Sequence, residues 1–193
     1  SLGALTFDVQ VIRPDFAVAA GYKWLLGPYS TGLLYIAPHH QQGLPLEFGS
    51  FSRRDAVKFS ELVNYRDEFA PGARRFDVGE TANFALMPAL LNSLQQILSW
   101  EVPRIEATLC QTTNAIAERA KELGLEVVEP HQRAGHFLGL RFPQGLPRNI
   151  GERLAHHQVY ASIRGDSLRV TPYLYNTDRD IDRFLDTLQK ILR

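Results

Sequence analysis

Gly21-Tyr22-Lys23-Trp24-Leu25-Leu26-Gly27-Pro28-Tyr29-Ser30-Thr31-Gly32 sets one lysine between two apolar runs, residues 16–20 before it and 33–36 after it. Both runs read as short buried strands, bounded by glycine and proline at the turn. Lysine is among the most solvent-seeking side chains, so one at the end of a core strand needs a reason. Covalent chemistry supplies it. A partly desolvated amine favours its neutral, nucleophilic form and condenses with an aldehyde.

The rest of the chain agrees with an ordinary globular protein. Hydrophobic residues make up 45% and charged residues 22% of 193 residues, enough for one large domain or one and a half ordinary ones. With 21 basic and 21 acidic residues the net charge is zero, which argues against a nucleic-acid or anionic-membrane partner. Cys110 is the only cysteine, so neither a disulfide framework nor a cysteine-cluster metal site is expected, and a reducing cytoplasmic setting follows. No run reaches membrane-span length and no signal peptide opens the chain. Ser1-Leu2-Gly3-Ala4 enters an apolar run without an initiator methionine, the pattern expected of a chain that begins in mid-fold.

Residues 38–80 are rich in charge and glycine with weak periodicity, and read as long loops with short helices. From Pro88, Leu90, Leu94, Ile97 and Leu98 fall on one helical face, with proline suited to the first turn. Pro103 opens a longer helix striped by Ile105, Leu109, Ile116, Ala120 and Leu123, which Gly124 can end. Cys110 beside that stripe reads as a packing residue. A second α/β unit follows, with strands over 125–128, 136–142, 159–163 and 167–171 and a helix over 150–157. A final helix starts at Thr177-Asp178-Arg179-Asp180, with its apolar face on Ile181, Phe184, Leu185, Leu188 and Ile191.

Three segments carry candidate chemistry: the Lys23 loop, Arg74–Asn83 and Arg164–Thr177. Their order and content resemble the class V aminotransferase group of fold-type I pyridoxal-phosphate enzymes, which also contains cysteine desulfurases and kynureninases. The likeness rests on Gly-Tyr-Lys ahead of the Gly-Pro turn and an apolar strand, then on Arg169-Val170-Thr171 followed by Tyr175-Asn176-Thr177 and an acidic helix start. It covers essentially the whole chain. It implies an α/β fold of the aspartate-aminotransferase type, in its C-terminal portion. Residues 1–100 would end the large mixed-sheet cofactor domain, and residues 101–193 would form the small C-terminal α/β domain.

The resemblance assigns roles residue by residue. Lys23 is the amine that holds pyridoxal 5'-phosphate as a Schiff base and then moves a proton at the substrate Cα. Tyr22 takes the place of a histidine or tyrosine that hydrogen-bonds the phosphate, while Ala20 departs from a serine often found nearby. Arg169 is the arginine that grips the substrate carboxylate, a task suited to a planar fork of donors. Arg164 is a further substrate-binding candidate. Thr81 and Asn83 resemble the loop that reaches a neighbouring subunit's phosphate, which implies a homodimer, and Trp24 is a candidate for that interface. A plain helix-entry loop is the competing reading of the segment around Thr81 and Asn83.

Two absences shape the expectation. The family's pyridinium-pairing aspartate, its phosphate loop and its stacking aromatic would lie upstream of Ser1, so Asp8 is read as structural and the chain alone is expected to be inactive. The segment between Arg164 and Arg169 holds no cysteine, which argues against sulfur transfer. The histidines occur as His39-His40, His156-His157, His131 and His136. Adjacent histidines should diverge, so they read as solvent-facing and no metal is assigned. The leading reading is an aminotransferase-like enzyme acting on a small amino-acid substrate, with kynureninase-like or epimerase-like chemistry as its variants. The rivals are a cofactor-free structural or dimerisation chain and a generic α/β binding module, the latter without any Gly-x-Gly-x-x-Gly or Walker pattern.

Overall fold

The two apolar runs around Lys23 pair as an antiparallel hairpin, β1 (Phe16–Ala20) against β2 (Gly32–Ile36), with Val18 opposite Leu34. The computed structural model describes residues 1–193 except Val57, Leu62, Glu80 and Ala82 and the side chain of Phe59. Within it the chain divides into two compact units. One comprises residues 7–97 with residue 2, the other residues 98–193 with residues 1 and 3–6.

In the first unit, Asp8 caps a single-turn helix, α1 (Val9–Ile12), by accepting the Gln10 N–H at 2.7 Å. The hairpin differs from the expectation of buried strands: its residues alternate between exposed and half-buried, and only Ile36 is fully buried. Apolar residues on both faces of a strand match a sheet covered on both sides, but here one face is mostly exposed and the other is half-buried. The described residues between 38 and 79 form loops carrying short 3-10 turns, among them Pro38–His40 and Gly72–Phe76. Helix α2 (Met87–Trp100) buries Leu90 and Ile97. Leu98, expected on the same face, is exposed, because it sits a further 100° around the helix from Ile97 at the edge of a narrow stripe.

The second unit has a continuous core. Helix α3 (Val102–Glu122) buries Ile105, Leu109, Ile116 and Ala120, and Gly124 ends it at φ +80°, a conformation that glycine adopts without strain. Cys110 lies beside the stripe, close against Gly135. A three-stranded antiparallel sheet follows in the order β3 (Leu138–Arg141), β5 (Ser167–Val170), β4 (Ser162–Arg164). Leu138, Leu140 and Leu168 point inward to meet Ile116 of α3, Leu154 of α4 (Ile150–His156) and Leu185 and Leu188 of α5 (Asp178–Leu192). Each such side chain contributes about 1.5–3 kcal/mol through burial. The strand expected over 125–128 is reduced to one bridge, Glu126 with Arg141. Pro130 follows closely and offers no N–H to extend the pairing. Thr177 and Asp180 close a capping box at the start of α5. Among the described residues, no helix is long and apolar enough to cross a membrane.

Candidate active site

Lys23 stands on a turn that is tightly braced. The Gly21 N–H donates to the Thr31 carbonyl and the Gly27 N–H to the Gly21 carbonyl, each at 2.8 Å, while the Thr31 hydroxyl donates to the Pro28 carbonyl at 2.7 Å. A Cβ on Gly21 would lie 2.3 Å from Thr31 Oγ1, and one on Gly27 would lie 2.6 Å from Leu90 Cδ1, so a side chain at either position would displace a neighbour. Leu26 and Ser30 adopt left-handed backbone at φ +56° and +65°. Such conformations persist where surrounding contacts impose them. Here Ser93 of α2 donates its hydroxyl to the Leu26 carbonyl at 2.9 Å, and Leu25 is buried as the loop's anchor.

On this frame Lys23 is exposed rather than partly desolvated as expected. Its Nζ lies 5.5 Å from the centre of the Tyr22 ring, and no carboxylate pairs with it among the described residues. Tyr22 stacks on Tyr29, with ring centres 4.4 Å apart. Thr81 and Asn83 are both exposed, and Glu80 and Ala82 beside them lie outside the described residues. Asn83 opens α2: its Oδ1 accepts the Leu86 N–H at 2.9 Å and its carbonyl accepts the Met87 N–H at 3.0 Å.

In the second unit, Arg169 occupies the central strand, opposite Gly139 on β3 and Ser162 on β4. Leu168 points to the core, so period-two alternation turns Arg169 to the open face. Both neighbours are small, and the space where Gly139 would carry a side chain is empty. Among the described residues Arg169 has no hydrogen-bond or ion-pair partner. Arg141, on the same face, contrasts with it: its Nε donates to Asp166 at 2.8 Å and its Nη1 to Glu126 at 3.0 Å. Arg164 is exposed at the β4–β5 turn and donates to the Ile163 carbonyl at 2.8 Å. Gly165 makes that turn at φ +59°.

Several supporting residues escape a reading of the sequence. Ser93 and Thr31 hold the lysine turn. Asn176 accepts the Tyr173 N–H at 2.9 Å, so the Tyr-Asn-Thr step shapes the approach to α5. Gly139 and Ser162 flank Arg169 only through sheet register, which no local pattern encodes. The expectation that adjacent histidines diverge fails at one turn. His39 and His40 both direct Nε2 at Asp15 Oδ1, at 2.9 and 3.2 Å, because the Pro38–His40 turn folds back onto the start of β1.

The Aminotransferase class-V family model matches residues 1–184. The chain belongs to the class V aminotransferase family. Its relatives include an uncharacterized aminotransferase of Schizosaccharomyces pombe, 27% identical over 98% of this chain and 48% of that protein. Isopenicillin N epimerase of Streptomyces clavuligerus is also 27% identical, over 98% of this chain and 50% of the other. A cysteine desulfurase of Yersinia pseudotuberculosis is 28% identical over 95% and 47%. Among solved structures, the apo cysteine desulfurase of Thermococcus onnurineus superposes with a TM-score of 0.81 at 20% identity, covering all of this chain and 50% of that one. A C-DES variant with glycine covalently linked to its PLP cofactor gives the same TM-score at 21% identity, over 98% and 49%. The fold is thus that of fold-type I enzymes, and the chain spans about half the length of the curated relatives it matches.

Class V aminotransferases use pyridoxal phosphate. The residues present fit part of that group: an exposed amine with no carboxylate partner among the described residues suits its aldehyde, and the Tyr22 hydroxyl suits its phosphate.

Proposed function

We propose that this chain supplies the lysine and the carboxylate-binding arginine of a pyridoxal-phosphate enzyme that transaminates a small amino acid. When bound, the cofactor supplies an electron sink for the electron pair left at Cα as a proton departs. Lys23 Nζ would hold the cofactor covalently through its aldehyde carbon, with loss of water. Released by substrate, the same amine would be the base that takes the proton from Cα, and the braced turn fixes the backbone from which it reaches. Arg169 binds the substrate carboxylate through two parallel N–H···O bonds, fixing which Cα bond is presented for cleavage. Arg164, at the turn end of the same hairpin, contacts the distal part of the substrate. Tyr22 donates to the cofactor phosphate, and Thr81 and Asn83 reach the phosphate of a second subunit in a homodimer, with Trp24 at the interface. Asn83 retains its amide N–H groups for this, since helix entry uses only its oxygens. A balanced net charge and a lone cysteine support a cytoplasmic enzyme.

One observation carries the reading: Arg169 sits unpaired on a central strand between Gly139 and Ser162, with room beside it for a ligand. An arginine kept for sheet stability would be tied to carboxylates as Arg141 is. Epimerisation is the second reading, favoured by the 27% identity to isopenicillin N epimerase. It needs the same lysine and arginine but returns the proton to Cα. Sulfur transfer lacks its thiol, since the β4–β5 turn reads Gly165-Asp166 and Cys110 packs on α3 against Gly135. In the enzyme that carries this chain, Arg169→Ala should weaken amino-acid binding by about tenfold or more with the cofactor absorbance unchanged. Unchanged affinity would remove Arg169 from the site. A keto acid product marks transamination, and an inverted amino acid marks epimerisation.

A further inference from the structure

We propose that Asp15, His39 and His40 form a binding site for a zinc-type divalent cation at the open end of the β1–β2 hairpin. One ligand atom from each residue lies within 4.8 Å of the other two. The two imidazole Nε2 atoms approach a single carboxylate oxygen, Asp15 Oδ1, at 2.9 and 3.2 Å. Ligands about 2.0–2.1 Å from one zinc ion stand roughly 2.9–3.4 Å from each other, so these separations already match a shared coordination sphere. Two imidazole nitrogens and one carboxylate oxygen suit zinc and its first-row neighbours, and exposure of the cluster leaves water to complete the sphere.

The site is built by backbone, not by chance meeting of long side chains. The Ala37 N–H donates to the Asp15 carbonyl at 2.9 Å, which pins the residue before β1 to the residue after β2. Pro38 then starts a 3-10 turn whose two remaining residues are the histidines. Gln41 braces that turn by donating its side-chain amide to the Ile36 carbonyl at 3.0 Å. Phe16 stacks on the His40 ring, with centres 4.9 Å apart and planes 21° from parallel, which holds the ring's orientation as outer-sphere partners do in metal sites. The two imidazole ring centres lie only 4.2 Å apart, which keeps both side chains in one place. A bound ion would link the two ends of the hairpin opposite the Lys23 turn, so the site is independent of the chemistry proposed for Lys23.

The test uses the chain expressed without a histidine tag, stripped with EDTA and titrated with zinc chloride alone against a chromophoric chelator. The expected result is one saturable zinc site that also raises the melting temperature. Asp15→Asn and His39→Ala should each weaken it by about tenfold or more, while a His156→Ala/His157→Ala double variant should leave it unchanged. His39 is well exposed, so its truncation spares the fold, and circular dichroism of the metal-free variants checks this. No saturable binding, or equal affinity in the Asp15 and His39 variants, would overturn the proposal.

Discussion

The two units of this chain bury their apolar residues very differently. In the second, Leu140, Leu154, Leu168 and Leu188 are each 0% exposed around one core. In the first, Val18 is 80% and Phe84 88% exposed, and the buried positions are scattered. The carboxylate-binding candidate, Arg169, therefore rests on a sheet that its own unit stabilises. The lysine candidate rests on a hairpin whose rigidity comes from glycine contacts and hydrogen bonds in the turn. Precision at a side chain can come from a packed core or from a locally over-determined loop, and this chain uses one means for each of its two candidate residues.

The contrast breaks most directly under core truncation. Leu140→Ala should cost about 2–5 kcal/mol in chemical denaturation of the second unit. Val18→Ala should stay within about 0.5 kcal/mol. Comparable losses at both sites would show that the hairpin is packed after all. The lysine turn responds to a smaller push. Gly21→Ala places a Cβ against Thr31 Oγ1, which is itself held by Pro28, and should cost about 1–3 kcal/mol of local stability, read as faster amide exchange at Gly21 and Gly27. Unaltered exchange there would mean that the turn yields without strain.

Much of the second unit was legible because amphipathic helices report their buried face locally. Ile105, Leu109 and Ile116, or Phe184, Leu185 and Leu188, recur at helical spacing, and Gly124 and Thr177 mark ends by their own chemistry. The hairpin was legible as strands but not in its exposure, since an apolar run states a preference for burial without saying what covers it. Sheet register was invisible, so Gly139 and Ser162 could not be placed beside Arg169, nor Asp15 beside His39 and His40. Lys23 and Arg169 stood out because glycine spacing and the arginine–valine–threonine step are local. Asn83 shows the limit of that approach, because a polar residue before a helix serves helix entry whether or not it also meets a ligand.

A modest, pH-dependent effect is expected at the start of α5. The Thr177 backbone N–H, then its hydroxyl, hold the Asp180 carboxyl below its ordinary 3.8. The Arg141 guanidinium, then Ser167, do the same for Asp166. A carboxylate held low contributes stability that is complete above its unfolded value and fades as pH falls through the folded one. Both latches should thus hold at neutral pH and weaken progressively below about pH 4. Thr177→Ala should cost about 1 kcal/mol at pH 7 and reduce the acid-side decline in melting temperature, an outcome that thermal melts across pH 2–7 check. An identical decline in the variant would assign the acid loss elsewhere.

The central claim is that Lys23 anchors pyridoxal phosphate, and borohydride reduction of the cofactor-loaded enzyme followed by peptide mapping tests it most directly. The account predicts a phosphopyridoxyl group on the peptide carrying Lys23, abolished in Lys23→Ala. Labelling at Lys58, Lys121 or Lys190 instead, or no label on this chain, would contradict it.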